Sequence, residues 1–214
     1  GFKEWILFAA DYSQIELRVL AHLSQDAGLL SAFQNGLDIH SATAAQVFGV
    51  PLNGVTADQR RVAKVLNFGV IYGISSYGIS QQTGLSLEDG SKFIRDYNER
   101  YPGIHQYIEA TKEQARDKGY VETLLGRRRP IPEIHSSNFN LRQAAEREAI
   151  NMPVQGTASE IMKIAMISIH SRLQNLGYKS KMLLQVHDEL IFECPNDELN
   201  DLAELVSESM PNAM

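Results

Sequence analysis

Three ionisable residues, His187-Asp188-Glu189, lie between two short, mostly apolar runs, Met182 to Val186 and Leu190 to Phe192. Both runs suit strands, so the break between them reads as a β-hairpin with the trio at or near its tip. The break has no Gly or Asn, so a relaxed two-residue turn is not expected. Two adjacent carboxylates and an imidazole at the end of a buried hairpin are costly to hold unless something binds them, and a divalent cation is the natural candidate. The same trio also reads as a solvated polar turn. A further acid, Asp11, ends the strand-like run Trp5 to Ala10. Behind it, Ser13 and Glu16 have capping-box spacing, and Ile15, Val19, Leu20 and Leu23 form a helical stripe. Asp11 therefore sits at a strand-to-helix junction, where it either projects a carboxylate from a rigid edge or caps the helix. Local physics favours a plain cap for Glu16. Two aspartates from different strands are what a two-metal phosphoryl-transfer site needs, since paired divalent ions activate a hydroxyl nucleophile and stabilise the leaving oxygen.

A second group of residues suits an anionic, aromatic ligand. Thr56 and Gln59 form a capping box that opens a helix from Asp58 to about Tyr72. At about 100° per residue, Arg60, Lys64, Phe68, Arg61 and Tyr72 fall within an arc of about 120°, with Val62, Val65, Leu66, Gly69 and Val70 on the other side. Cations followed by rings on one face suit a nucleotide, the cations meeting phosphates and the rings meeting sugar or base. A surface helix with snorkelling bases has the same pattern. Arg147, Asn151 and Gln155 share a face of a long helix, Leu141 to Leu176, expected to be interrupted at Pro153. They read either as minor-groove hydrogen-bonding groups or as a polar seam. Arg127-Arg128-Arg129 is expected in a turn, as a solvated loop or as clamps on a phosphate backbone.

These groups need a scaffold. At 214 residues and 43% hydrophobic content the chain can bury a sizeable core in one or two domains. The single Cys194 excludes a disulfide framework and fits a reducing compartment. No apolar run is long enough to span a membrane. The net charge of −6 hides an asymmetry, because residues 182–214 hold eight acids and no Lys or Arg, leaving 20 basic and 18 acidic groups before them. Local anion-binding surfaces are thus compatible with an acidic chain. Residues 38–49 read as a short helix with His40 in its first turn, where a structural role is the commoner one. Gly73 to Gly78 reads as a break after the cationic helix. Residues 80–118 read as helices parted near Gly84 and Tyr101-Pro102-Gly103, Gly119 to Leu125 as a short strand, and Asp197 to Met210 as an acidic amphipathic helix on the hairpin. The start at Gly1 and the end at Met214 suggest a fragment.

In three places the sequence resembles the family A DNA polymerases: Asp11-Tyr12-Ser13-Gln14-Ile15-Glu16-Leu17-Arg18, Arg60 through Gly73, and Gln185-Val186-His187-Asp188-Glu189. The Arg-rich turn and Asn151-Met152-Pro153-Val154-Gln155-Gly156 are similar as well. The resemblance implies an α+β fold, an antiparallel palm sheet carrying a large helical fingers insertion, with residues 1–35 and 119–214 as palm and 36–118 as fingers. It implies template-directed DNA synthesis with two Mg²⁺ ions, dNTPs and template-primer DNA, by a monomer in the cytoplasm of a bacterial or phage-infected cell or in an organelle, in replication or repair. Asp11 and Asp188 would bind metal and Glu189 would assist near the primer end. Arg60, Lys64 and His40 would hold the triphosphate, and closure of the fingers would bring the cations onto it. Phe68 would pack on the incoming nucleotide and Tyr72 at the template-primer junction. Gln14 would also face the nucleotide, and Glu16 would be the gate against a ribose 2′-OH, which overrides the plain cap. His187, Gln185, Arg147, Asn151, Gln155 and Arg128 would contact DNA. The thumb, nuclease domains and last palm strands of the family are missing, so the fragment alone is expected to be weak or inactive.

Overall fold

The computed structural model describes residues 4–214. In chain order it contains β1 (Trp5–Asp11), α1 (Ile15–Ser24), α2 (Ala27–Gln34), α3 (Ile39–Phe48), α4 (Ala57–Ile71), α5 (Ser76–Thr83), α6 (Leu87–Arg100) and α7 (Pro102–Lys118). β2 (Tyr120–Glu122), β3 (Arg128–Pro130), α8 (Phe139–Leu176), β4 (Lys181–Val186), β5 (Glu189–Pro195) and α9 (Leu199–Ser209) follow. The fold is α+β, and the chain forms two compact units, one from the residues through Glu16 together with Gly156–Met214, the other from Leu17–Gln155.

The first unit is an antiparallel sheet of order β1-β5-β4. β5 is central and alternates, burying Leu190, Phe192 and Cys194. Those side chains meet Ile169 and Leu173 from α8 and Leu202, Leu205 and Val206 from α9 in one core. The acidic C-terminal helix therefore packs as its apolar stripe predicts. β1 pairs with β5 without slippage from Trp5↔Pro195 to Asp11↔Glu189, whereas β4 carries a bulge between Met182 and Leu184. As the edge strand, β4 leaves Leu183, Leu184 and Val186 exposed, so the hairpin is buried on β5 and not throughout.

The second unit is mainly helical, and its caps follow from sequence. Thr56 and Gln59 make the expected reciprocal box at the start of α4, Gln59 N–H donating to Thr56 Oγ1 (3.2 Å) and Thr56 N–H to Gln59 Oε1 (2.9 Å). Asp38 caps α3, and Gly49, Gly84 and Gly119 end their helices in the left-handed conformation. A core of Ala115, Val121, Ile131, Ile134, Ala145 and Ala149 joins α7, the β2–β3 ribbon and the early part of α8.

Several local expectations are corrected. α8 continues through Pro153. A proline removes only its own N–H bond and strains one turn, and here buried Ala149, Ile150 and Val154 hold the helix around it. Arg128–Pro130 is strand and not turn: Val121 pairs with Arg129 and Glu122 with Arg128, and the chain reverses at Gly126 with φ 81°. Gly78 lies inside α5, so the break after α4 is confined to the residues around Gly73 and Ile74. Ser13–Glu16 is not a regular capping box, because α1 begins at Ile15 and Gln14 has φ 56°, outside the helical region a first helical residue requires.

Candidate active site

The carboxylates come together through strand pairing in the first unit. Asp11 is the last residue of β1 and lies opposite Glu189, the first residue of β5. One step further out, Tyr12 N–H donates to the Asp188 carbonyl oxygen (3.0 Å). Directly opposed residues have Cα atoms about 4.5–5.5 Å apart, so Asp11, Asp188 and Glu189 share one end of the sheet. Asp11 and Asp188 are exposed and Glu189 is half-buried.

His187 and Asp188 are the two central residues of the β4–β5 turn, since Val186 pairs with Glu189. His187 has φ 54°, the left-handed region that a two-residue hairpin turn demands and that Gly or Asn occupies more cheaply. A two-residue turn thus forms, and it is a strained one, as the lack of Gly and Asn implies. Gln185 braces it, its Nε2 donating to the His187 carbonyl (3.0 Å), so this side chain turns back onto the hairpin. Holding a bulky residue in this region costs on the order of 1 kcal/mol, strain of a kind that gathers at functional sites. Tyr12 fixes the other flank. Its hydroxyl donates to the Met210 carbonyl (2.6 Å), and burial pushes its pKa up to about 12.

The donor set fits a divalent cation. Like charges directly opposite across a strand pair repel, as Asp11 and Glu189 do here, and a cation removes that cost. Among the described residues no group of three or more His, Cys, Asp or Glu side chains forms a complete metal site.

The cationic and aromatic groups lie in the second unit. Arg60 is oriented by Asp38, the N-cap of α3: its Nε donates to Asp38 Oδ2 (2.6 Å), which also accepts from Ser41 Oγ (2.9 Å), while Asp38 Oδ1 accepts from His40 N–H (3.0 Å). Burial raises the Asp38 pKa, but the Arg60 and Ser41 hydrogen bonds and the Arg60 charge overcome it and hold the carboxyl at about 2. The rings form a ladder, His40 to Phe68 at 5.7 Å between centroids and Phe68 to Tyr72 at 6.0 Å, the latter pair stacked. A cavity of about 670 Å³ runs along this face, lined by Lys64, Phe68, Tyr72, Gly73 and Arg147 among others. Val65 and Gly69, expected on the apolar side, also line it, while Ala63, Leu66, Asn67, Val70 and Ile71 form the buried side of α4. The buried arc is rotated toward Arg60, which is why Asp38 of the neighbouring helix start reaches it.

The other candidates are more dispersed. Arg147 is exposed and packs by Gly73 at the cavity wall. On the same face of α8, Gln155 is exposed and Asn151 is half-buried with its Oδ1 lacking a hydrogen-bond partner. Glu16 lies in the first turn of α1, just after the left-handed Gln14. Arg128 stands over the Tyr120 ring (4.6 Å) and pairs with Glu122 (3.1 Å), while Arg129 pairs with Glu148.

Two features escape the motifs. Asp38 reads only as a helix start, yet it clamps Arg60. Asn67, fully buried on α4, bonds His40 and Thr43. A polar residue between Leu66 and Phe68 on an otherwise packed arc was the available signal.

Comparison with known proteins places the chain in a family. Residues 2–214 match the family described as DNA polymerase family A. DNA polymerase I of Streptococcus pneumoniae strain R6 is 53% identical over 99% of the chain, and that of Bacillus subtilis strain 168 is 51% identical over 99%. The chain spans about a quarter of these relatives, 24% of each. A solved structure of the POL domain of Pol1 from M. smegmatis, in complex with DNA primer-template and dNTP, superposes with a TM-score of 0.93 at 46% identity, covering 99% of this chain and 38% of that one. The chain belongs to DNA polymerase family A.

Proposed function

We propose that the protein containing this chain is a DNA-directed DNA polymerase, which adds deoxynucleotides from dNTPs to a primer 3′-OH on a DNA template. The observation that carries the reading is the meeting of Asp11 and Asp188 at one end of paired strands, tied by the Tyr12–Asp188 backbone bond. The reaction forms a bond from the primer 3′ oxygen to the α-phosphorus and breaks the bond to pyrophosphate, and the 3′-OH proton passes to solvent water. Asp11 and Asp188 would hold two Mg²⁺ ions, which when bound lower the pKa of the attacking hydroxyl and stabilise the leaving oxygen. Glu189 and His187 serve the primer end. Arg60 and Lys64 neutralise the triphosphate as charge moves onto pyrophosphate, with Arg60 aimed by Asp38. His40 assists them, Phe68 packs on the incoming nucleotide with Gln14 beside it, and Tyr72 stacks at the template-primer junction. Glu16 excludes a 2′-OH. Arg147, Asn151, Gln155, Gln185 and Arg128 contact the duplex. In this reading residues 1–35 and 119–214 are palm and 36–118 fingers, and the protein acts as a monomer in the cytoplasm.

In the full-length protein, Asp188→Asn is expected to abolish primer extension while DNA binding persists; retained extension would remove Asp188 from the metal site. A single-subunit RNA polymerase is the nearest other reading. Glu16 and Phe68 favour deoxynucleotides, and efficient extension with ribonucleotides in the same assay would decide for RNA synthesis.

A further inference from the structure

A buried relay of three side chains connects two helices of the second unit, α3 and α4. Thr43 on α3 donates its hydroxyl proton to Asn67 Oδ1 on α4 (3.0 Å), and Asn67 Nδ2 lies 3.0 Å from His40 Nδ1. All three residues are buried: Asn67 is 0%, His40 2% and Thr43 5% exposed. A carboxamide has one accepting end and one donating end. With its oxygen engaged by Thr43, Asn67 presents only N–H to the ring, so His40 Nδ1 must be the acceptor. A neutral imidazole carries one N–H, and here that proton belongs on Nε2.

We propose that Asn67 and Thr43 are positioning residues that lock His40 as a neutral Nε2–H donor to a phosphate of the incoming nucleotide. The inference rests on the nucleotide-binding reading of the Arg60 helix. The charge environment agrees. Asp38, Arg60 and Lys64 are the charged groups acting on His40; burial lowers its pKa to about 4, against Asp38 and with Arg60 and Lys64. His40 thus contributes a directional hydrogen bond beside two permanent cations. Its ring plane is fixed by Asn67 on one side and by the Phe68 ring, 5.7 Å away, on another. Neither Asn67 nor Thr43 touches the nucleotide in this arrangement; both act through the imidazole.

The test measures the dissociation constant of dATP for the full-length protein on a dideoxy-terminated primer-template from pH 6 to 8.5, with primer extension run in parallel. Asn67→Asp places an acceptor against Nδ1, which demands Nδ1–H and favours the imidazolium. Its dATP affinity should rise as pH falls by about tenfold more than that of the wild type, about one pKa unit's worth. The excess should vanish in Asn67→Asp/His40→Gln, a cycle that cancels titration of the nucleotide itself. Thr43→Val removes the hydroxyl that orients the amide and should weaken binding about fivefold, while Thr43→Ser should remain within about twofold of wild type. The Thr43 pair decides alone if Asn67→Asp does not fold. Asn67→Asp running parallel to wild type, an excess that survives His40→Gln, or Thr43→Val and Thr43→Ser binding alike would each overturn the relay. If the variants show these dependences but the wild-type protein does not extend a primer, the polymerase reading is refuted and the relay stands. Extension without the dependences refutes the relay alone, and absence of dATP binding overturns both.

Discussion

Ile74 is wedged between two glycines, and Gly69→Ala should lever the end of α4 out of place. A Cβ at position 69 would stand 2.7 Å from Ile74 Cγ2 and 3.3 Å from its Cδ1. Ordinary carbon contacts begin near 3.5 Å, so something must yield by about 0.8 Å. On its other side Ile74 packs closely over Gly78, where a Cβ would lie 2.6 Å from Ile74 Cγ1. The backbone is held too: Ile74 N–H donates to the Gly69 carbonyl at 2.7 Å. Backbone displacement at Ile74 passes into the turn around Gly73, whose φ of 72° leaves little choice of replacement conformation. Tyr72 and the cavity wall at Arg147 adjoin that turn. Overpacking costs about 1–3 kcal/mol, and Ala in place of a helical Gly returns about 1 kcal/mol, so the net destabilisation is about 0–2 kcal/mol. The functional effect should exceed the stability effect, because the strain is released where the ring ladder ends. Primer extension by the full-length protein should lose nucleotide affinity and discrimination with Gly69→Ala. Gly69→Ala/Ile74→Ala should recover part of both, since only the Ile74 Cβ, at 3.4 Å, then remains near the new methyl. The reasoning fails if the single variant behaves as wild type, or if the double variant is no better than the single one.

Other outcomes follow from the same geometry. The Asp38 carboxyl, depressed from 3.8 to about 2, represents roughly 2 kcal/mol, which solvent screening of a side chain 36% exposed reduces to about 1 kcal/mol. Because the folded pKa is the lower one, that stability is present above about pH 4 and is lost as pH falls through about 2. Hydrogen exchange of the His40 amide should report it: protection falls over that window and is lost at neutral pH in Asp38→Ala, while Asp38→Asn keeps the cap. Tyr12→Phe removes the bond to the Met210 carbonyl and should cost about 1 kcal/mol, read as faster exchange at the end of α9; unchanged exchange would mean the hydroxyl carries no weight. Gly103→Ala should be worse, because the new Cβ would meet the Asp26 Cα at 2.8 Å, a backbone atom that cannot rotate away. It also breaks a clasp in which Asp26 caps α2 and accepts from Gly103 N–H (2.9 Å). Loss of about 1–3 kcal/mol should appear as increased exchange in α2 and the start of α7.

What could be read from sequence was whatever is encoded over a few residues. The strand read from the apolar run of β5, the capping box of α4 and the caps of α3 depend on near neighbours, and each formed where the sequence places it. The acids on β1 and the hairpin could be paired in sequence because each ends a strand. What could not be read depends on partners far along the chain. The His187–Asp188 turn closes against local preference because β1 pairs alongside and Tyr12 bonds Asp188. Pro153 sits within a helix because packing outweighs its lost bond. Asn67 finds His40 27 residues and Thr43 24 residues away, and no local rule links such positions. Arg128 becomes strand because Glu122 and Tyr120 receive it.

The unbroken pairing of β1 with β5 works as a ruler. From Trp5↔Pro195 to Asp11↔Glu189 every residue has one partner, so the reach of Asp11 toward Asp188 is set by counting along two strands. Adding or deleting one residue in either strand would shift an acid by about 3.3 Å and send alternate side chains to the opposite face. Many exchanges of residue type leave the count intact; no change of length does. The one irregularity, the bulge between Met182 and Leu184, falls on the outer strand, where an extra residue leaves the gauge between the two aspartates untouched. Over evolutionary time these two segments should therefore vary in composition and hold their lengths, while insertions collect on the β4 side of the hairpin.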